Sequence, residues 1–286
     1  MNKETLIEFR KRRVEFMEFA ISSARAAGKI HMELYDSDHN VEWTGRVHFR
    51  VEADTRVSKM LREQLAKTYP DHNIHSEESE DHKTKSPFTW VDDELDGTIG
   101  YTRRFFDGFG FSRALCIDST PVLGVVYMPL KNYLYTGILG EPSFLNGKII
   151  KVNTTNLLTK SLMVIGSGKE IAGKEDFRLS HLPFLLKAWE SPSIMGDIGF
   201  ACGTASLCFV ADGRLEASLF TSAEDEDIAA SAVILQGAGA KVTNLALEPW
   251  RLGNKSVLAA SPVIHDQLAN KFKDVISNHI YRWGII

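Results

Sequence analysis

Trp90-Val91-Asp92-Asp93-Glu94-Leu95-Asp96-Gly97-Thr98 runs an apolar strand directly into four carboxylates and closes on a Gly-Thr that can open a helix. The apolar run from Phe88 to Val91 reads as a buried strand end. Its acids then emerge at the sheet's edge, where open α/β sheets usually bind ligands. Asp93 and Asp96 bracket a tight turn, so both can converge on one hard cation, while the N–H groups of Gly97 and Thr98 can face a phosphate. Taken alone, the stretch reads first as a solvated acidic turn. Companions elsewhere in the chain decide between the two.

Upstream, apolar residues recur at helical spacing from Thr5 to Tyr35, which predicts one or two long amphipathic helices. Asp54 caps a second helix that passes Val57, Leu61 and Leu65 and stops at Pro70. His72, His75 and His82 lie among Glu77, Glu78 and Glu80, but no H-x-x-x-H spacing or cysteine partner makes them a zinc site. Ile74 ends a short strand, so Glu77 also sits at a strand terminus.

Downstream, four β-rich runs (Phe111 to Ile117, Val122 to Met128, Tyr133 to Leu139, Lys148 to Val152) form an antiparallel meander. Asn146-Gly147 is its clearest hairpin signal. A hinge near Thr154 leads to a second half that alternates elements. It holds a strand from Leu162 to Gly166, a helix-rich patch around Leu182 to Trp189, a helix after Gly203-Thr204, and a strand from Leu215 to Phe220. Glu224-Asp225-Glu226-Asp227 then opens a helix ended by Gly237 and Gly239, and acids in a first turn are explained by the helix dipole alone. Strands at Ala240 to Val242 and Val257 to Ala260 and a helix from Pro262 to Ile276 complete the chain. Residues 1–155 are expected to form an α+β subdomain and 156–286 an α/β subdomain of one compact unit.

At 286 residues, 44% hydrophobic and 24% charged, with a net charge of −4, the composition is that of a globular protein. No Lys/Arg block can track a nucleic-acid backbone, and no apolar run approaches the roughly 20 residues of a membrane span. Neither nucleic acid nor membrane is an expected partner. Cys116, Cys202 and Cys208 form no C-x-x-C pair and read as core thiols of a cytoplasmic protein.

Glu77, Asp93, Asp96 and Asp227 are thus acids at element boundaries in separate segments. Here the chain resembles the inositol monophosphatase-like, magnesium-dependent, lithium-sensitive phosphatases. Ile74-His75-Ser76-Glu77-Glu78-Ser79 is similar to that family's G-E-E-S segment, and Trp90 to Thr98 to its W-x-x-D-P-x-D-G-T. Gly124-Val125-Val126-Tyr127, Gly203-Thr204-Ala205, Asp212-Gly213-Arg214 and Asp227-Ile228-Ala229-Ala230 follow in the family's order. The resemblance implies an α+β fold, the layered α-β-α-β-α sandwich of the inositol monophosphatase and fructose-1,6-bisphosphatase type, acting as a homodimer. It implies two Mg²⁺ ions, with a third at an accessory position: one held by Glu77, Asp93 and the Leu95 carbonyl, another by Asp93, Asp96 and Asp227. Thr98, paired with Asp54, and Glu77 would activate the attacking water. Gly97, Thr98, Ser167, Gly203, Thr204, Ala205 and Asp227 would contact the substrate.

The chain departs from the pattern at several places. Glu94 replaces a proline, Gly100-Tyr101 an Asn-Phe, and Glu226 a tryptophan, while His48 stands near the accessory metal position. Phe220 falls where inositol-phosphate-cleaving members carry a hydroxyl-binding glutamate. The expected activity is hydrolysis of a small phosphorylated polyol, sugar or sugar-like metabolite by metal-activated water. A nucleotide 3′-phosphatase, or a catalytically impaired protein that binds a phosphorylated metabolite, stands as the alternative.

Overall fold

The computed structural model describes residues 2–44, 49–105, 107–167, 179–190, 194–197 and 202–284. Helix α1 (Lys3–Leu34) is a single helix, capped by the Asn2 side chain on Glu4 N at 3.1 Å. A short ladder, β1 (Glu42–Trp43) with β2 (Phe49–Arg50), precedes α2 (Glu52–Thr68). There the N-cap is Val51 and not Asp54. Asp54 lies in the first turn and its carboxylate accepts from Val51 N at 2.7 Å.

The large sheet is built from β3 (Asn73–Ser76), β4 (Phe88–Asp96), β5 (Gly110–Ile117), β6 (Thr120–Met128), β7 (Tyr133–Ile138), β8 (Phe144–Leu145) and β9 (Lys148–Ile149), paired in chain order. Only β3 with β4 is parallel, and the rest is the expected meander. The short helix α3 (Thr98–Arg103) follows β4 directly. Asn146 and Gly147, both at positive φ, make the β8–β9 hairpin turn.

The smaller sheet has the order β11-β10-β12-β14-β13, made of β10 (Leu162–Gly166), β11 (Gly196–Asp197), β12 (Ala217–Phe220), β13 (Lys241–Thr243) and β14 (Val257–Ala260). Helices α4 (Leu182–Trp189), α5 (Gly203–Ala211) and α6 (Asp225–Gly237) belong to this half. The last predicted helix is two, α7 (Pro262–Lys271) and α8 (Lys273–Trp283), meeting at Phe272.

Period-2 alternation sorts the strand residues into layers. Phe88, Trp90, Phe111, Leu115 and Val125 pack on α1 and α2, whereas Val91, Ala114, Cys116 and Val126 pack on α5 and α6. Ala217 and Leu219 turn outward to α4, α7 and α8. The result is the layered α-β-α-β-α sandwich, with α5 and α6 enclosed between the sheets. Gly124 makes the close approach possible, since a Cβ there would stand 2.2 Å from the Ala230 carbonyl oxygen of α6. Among the described residues no helix is long and apolar enough to cross a membrane.

Candidate active site

Register explains how β4 delivers two acids to one place. Asp93 pairs with Ser112 and Asp96 with Gly110, so three steps along β4 match two along β5 and one residue is bulged out. Without the bulge, Asp93 and Asp96 would face opposite sides of the sheet. With it, both turn towards the layer of α5 and α6. Asp92 points the other way, into a bidentate ion pair with Arg113 at 2.6 and 2.6 Å, with Arg113 fully buried and ringed by Phe19, Trp90 and Phe111. Of the acidic run, Asp92 is therefore structural. The signal was its parity with Trp90.

The Asp93 carboxylate folds back on Leu95 N at 3.0 Å, a local turn that fixes the bulge. Gly97 then takes φ +85° and fits so closely between Cys202 and Phe109 that a Cβ would lie 3.1 Å from the Cys202 Cβ. Asp96 reaches across to the second half, where Oδ2 accepts from Thr204 N at 2.7 Å and lies 3.0 Å from Cys202 Sγ. Burial and the neighbouring Asp96 push the Cys202 thiol well up, so the sulfur stays a protonated donor. Asp227, in the first turn of α6, accepts from Glu224 N at 2.9 Å and hands its carbonyl to the Thr204 hydroxyl at 3.1 Å.

These elements bring one ligand atom each from Asp93, Asp96 and Asp227 within 4.8 Å of one another. Glu77 stands outside this group, exposed at the end of β3 with its N–H directed to the Asp92 carbonyl at 3.3 Å. The donors are all carboxylate oxygens, which fits Mg²⁺ and does not fit a soft cation. Two of the three histidines near Glu77 have partners of their own. His72 Nδ1 lies 3.1 Å from the Trp90 indole N–H, and His75 lies between Asp81 at 2.7 Å and Glu226 at 3.3 Å. The contact with Glu226, then burial and Asp81, leave the His75 pKa raised to about 9.

Other site residues take positions that the sequence did not predict. The Thr98 hydroxyl donates to the Leu95 carbonyl at 2.9 Å. Asp54 is occupied by Val51 and does not pair with Thr98, and burial raises its pKa well above the usual range. Thr204 and Ala205, expected to contact the substrate, give their N–H groups to Asp96 at 2.7 Å and to Cys202 Sγ at 3.4 Å. Ser167, at the end of β10, is 3.4 Å from Ser180, which bonds Thr221 at 2.7 Å. The Phe220 ring lies against Gly166 and 3.8 Å from a Cβ built on Gly203. Glu94, only 1% exposed, accepts from Ser76 Oγ at 2.6 Å, and burial raises its pKa to about 8. His48 lies outside the described residues.

The sequence pattern of the Inositol monophosphatase family matches residues 12–277. Inositol monophosphatase 3 of Solanum lycopersicum is 32% identical over 269 residues, covering 88% of this chain and 94% of that one. A fructose-1,6-bisphosphatase/inositol-1-monophosphatase of Aquifex aeolicus is 29% identical, covering 91% and 97%. The solved structure of the extragenic suppressor protein suhB from Bartonella henselae superposes with a TM-score of 0.82 at 23% identity, covering 91% and 98%. Coverage this complete extends from the acids of β4 through the first turn of α6, and the chain belongs to the inositol monophosphatase family, whose members are metal-dependent phosphoric monoester hydrolases.

Proposed function

We propose that the chain hydrolyses the phosphomonoester of a small phosphorylated polyol, sugar or sugar-like metabolite. The observation that carries this reading is the convergence of Asp93, Asp96 and Asp227 from two halves of the chain to within 4.8 Å. Unneutralised, three acids so close repel one another. With Glu77 and the Leu95 carbonyl they make the oxygen donor set for two Mg²⁺ ions. Bound there, Mg²⁺ supplies Lewis-acid chemistry: it lowers the pKa of water and offsets charge on a transferring phosphoryl group.

The protein's own groups do the remainder. Glu77 is the group that receives the proton from the attacking water. The Thr98 oxygen, whose hydrogen goes to Leu95, keeps lone pairs to orient that water. Gly97 and Thr98 N–H face the phosphate, and Ser167 and Gly203 line the leaving-group side. Asp54 acts indirectly, by holding Val51 in the apolar cluster that seats Leu95. In this reading residues 1–155 and 156–286 are the two subdomains of a cytoplasmic homodimer. Leu182, Leu186 and Trp189, exposed along α4, offer apolar surface for self-association.

The deciding experiment is phosphate release from sugar phosphates, inositol phosphates and adenosine 3′,5′-bisphosphate, with and without Mg²⁺. Release from the first two classes that needs Mg²⁺, and falls at least roughly 10²-fold in Asp93→Asn and Asp227→Asn, is expected. Release from the bisphosphate alone would replace the substrate class, and none at all would overturn the reading.

A further inference from the structure

Strand β3 ends in His75-Ser76, immediately before Glu77, and each of these two side chains holds an acid that neighbours a ligand of the cluster. Ser76 Oγ donates to Glu94 Oε1 at 2.6 Å, and Glu94 lies between Asp93 and Leu95. His75 places Nδ1 2.7 Å from Asp81 and Nε2 3.3 Å from Glu226, the residue before Asp227. Glu94 and Glu226 are 1% and 6% exposed. Both stand where the family pattern has an uncharged residue, proline and tryptophan, and Ser76 stands where G-E-E-S has glycine. Three departures that look separate along the chain are thus joined by contacts at one strand end.

A buried carboxylate needs a partner, and a turn without proline needs another constraint on its backbone. The Ser76–Glu94 bond gives one of the two Glu94 oxygens its partner and tethers the turn that carries Asp93 and Leu95 to the end of β3. The Asp81–His75–Glu226 chain ties the segment bearing Glu77 to the first turn of α6. We infer that His75 and Ser76 are positioning residues of the cation site, replacing the rigidity of proline and tryptophan with one hydrogen bond and one ion-pair chain. This rests on the metal reading proposed above.

Double-mutant cycles on the full chain test it, with Mg²⁺ affinity measured by calorimetry and thermal midpoints taken without metal. S76G, E94P, H75L and E226W are each expected to weaken Mg²⁺ binding about 10- to 100-fold, the usual effect of losing an outer support. S76G/E94P and H75L/E226W should return to within about 3-fold of the native value, because each pair acts as a unit. S76A and E226Q keep the test readable if a larger change prevents folding, and each should also weaken binding. Single variants within about 2-fold of native, a lowered midpoint with unchanged Mg²⁺ affinity, or doubles whose losses multiply would overturn the inference. If the native chain bound no Mg²⁺, the metal reading itself would fall. Native binding abolished by D93N, together with multiplying losses, would overturn only the positioning role.

Discussion

Gly124→Ala tests how the packing of α6 sets the site. The added Cβ would sit 2.2 Å from the Ala230 carbonyl oxygen and 2.9 Å from its Cα, both backbone atoms that no rotamer change can move. A comfortable C···O contact is about 3.3 Å, so α6 must retreat from the sheet by about 1 Å. Ala230 follows Asp227 by less than one helical turn, and the retreat carries the Asp227 carboxylate away from Asp93 and Asp96. Overpacking of this kind costs about 1–3 kcal/mol, and a 1 Å misplacement of a catalytic group costs on the order of 10²-fold in rate. The assay pairs a urea unfolding midpoint with Mg²⁺ titration of phosphate release. A moderate loss of stability with a much larger loss of activity at subsaturating Mg²⁺ is expected. Native activity in a destabilised variant would refute the link between this contact and the site, and a native midpoint would refute the contact itself.

Arg113→Met strands Asp92 as an unpaired buried charge, and about 3–5 kcal/mol of stability should be lost, read as a fall in thermal midpoint. Asp92→Leu with Arg113→Met should recover most of it, and an unaffected single variant would disprove the pair's structural role. His31, fully buried and touching the Glu94 carbonyl at 2.9 Å, is held at about 4 by burial, against 6.5 for a free histidine. The unfolded chain therefore binds more protons between those values, and stability present above pH 6.5 drains away as pH falls towards 4, at up to about 1.4 kcal/mol per pH unit. His31→Phe should thus lose less relative to native at pH 5 than at pH 7, and a constant difference would contradict the assignment. Phe220→Glu replaces a ring beside Gly166 and Gly203 with an acceptor for hydroxyls. The ratio of kcat/KM for inositol 1-phosphate to that for phenyl phosphate should rise about 10-fold; an unchanged ratio would remove Phe220 from the substrate's surroundings.

The parts of the fold legible in the sequence were those with a local cause. The β4 acids, the helix opened by Gly97-Thr98 and the Asn146-Gly147 hairpin each follow from residue type and spacing. The acidic turn of α6 was equally legible as a cap, and Asp227 does accept from the N-cap Glu224 N–H while also joining the cluster. What escaped the sequence depends on partners far along the chain. Asp92 and Asp93 are adjacent and chemically alike, and only the face of β4 sends one to Arg113 and the other to the site. Cys202 read as a core thiol and is one, yet it also touches Asp96, over a separation of 106 residues. The contact between His75 and Glu226 is likewise invisible until the two halves are folded together. The cap was placed three positions late, at Asp54, because Val51, with no polar side chain, gives no capping signal. The Asp54 carboxylate closes the same turn from inside the helix.

The reach of Asp96 from β4 to the start of α5 bears on the order of assembly. Asp93 and Asp96 lie in the seven-stranded half, whereas Asp227 and the Thr204 N–H that steadies Asp96 come from the other. Neither half alone offers the complete oxygen set. The Asp93–Asp96–Asp227 set is therefore complete only once both sheets have closed on α5 and α6, and on the metal reading proposed above a cation held by all three acts as a latch thrown at the last step. Mg²⁺ added during refolding would leave the folding rate unchanged and slow unfolding, so the ion guards the finished molecule without guiding its formation.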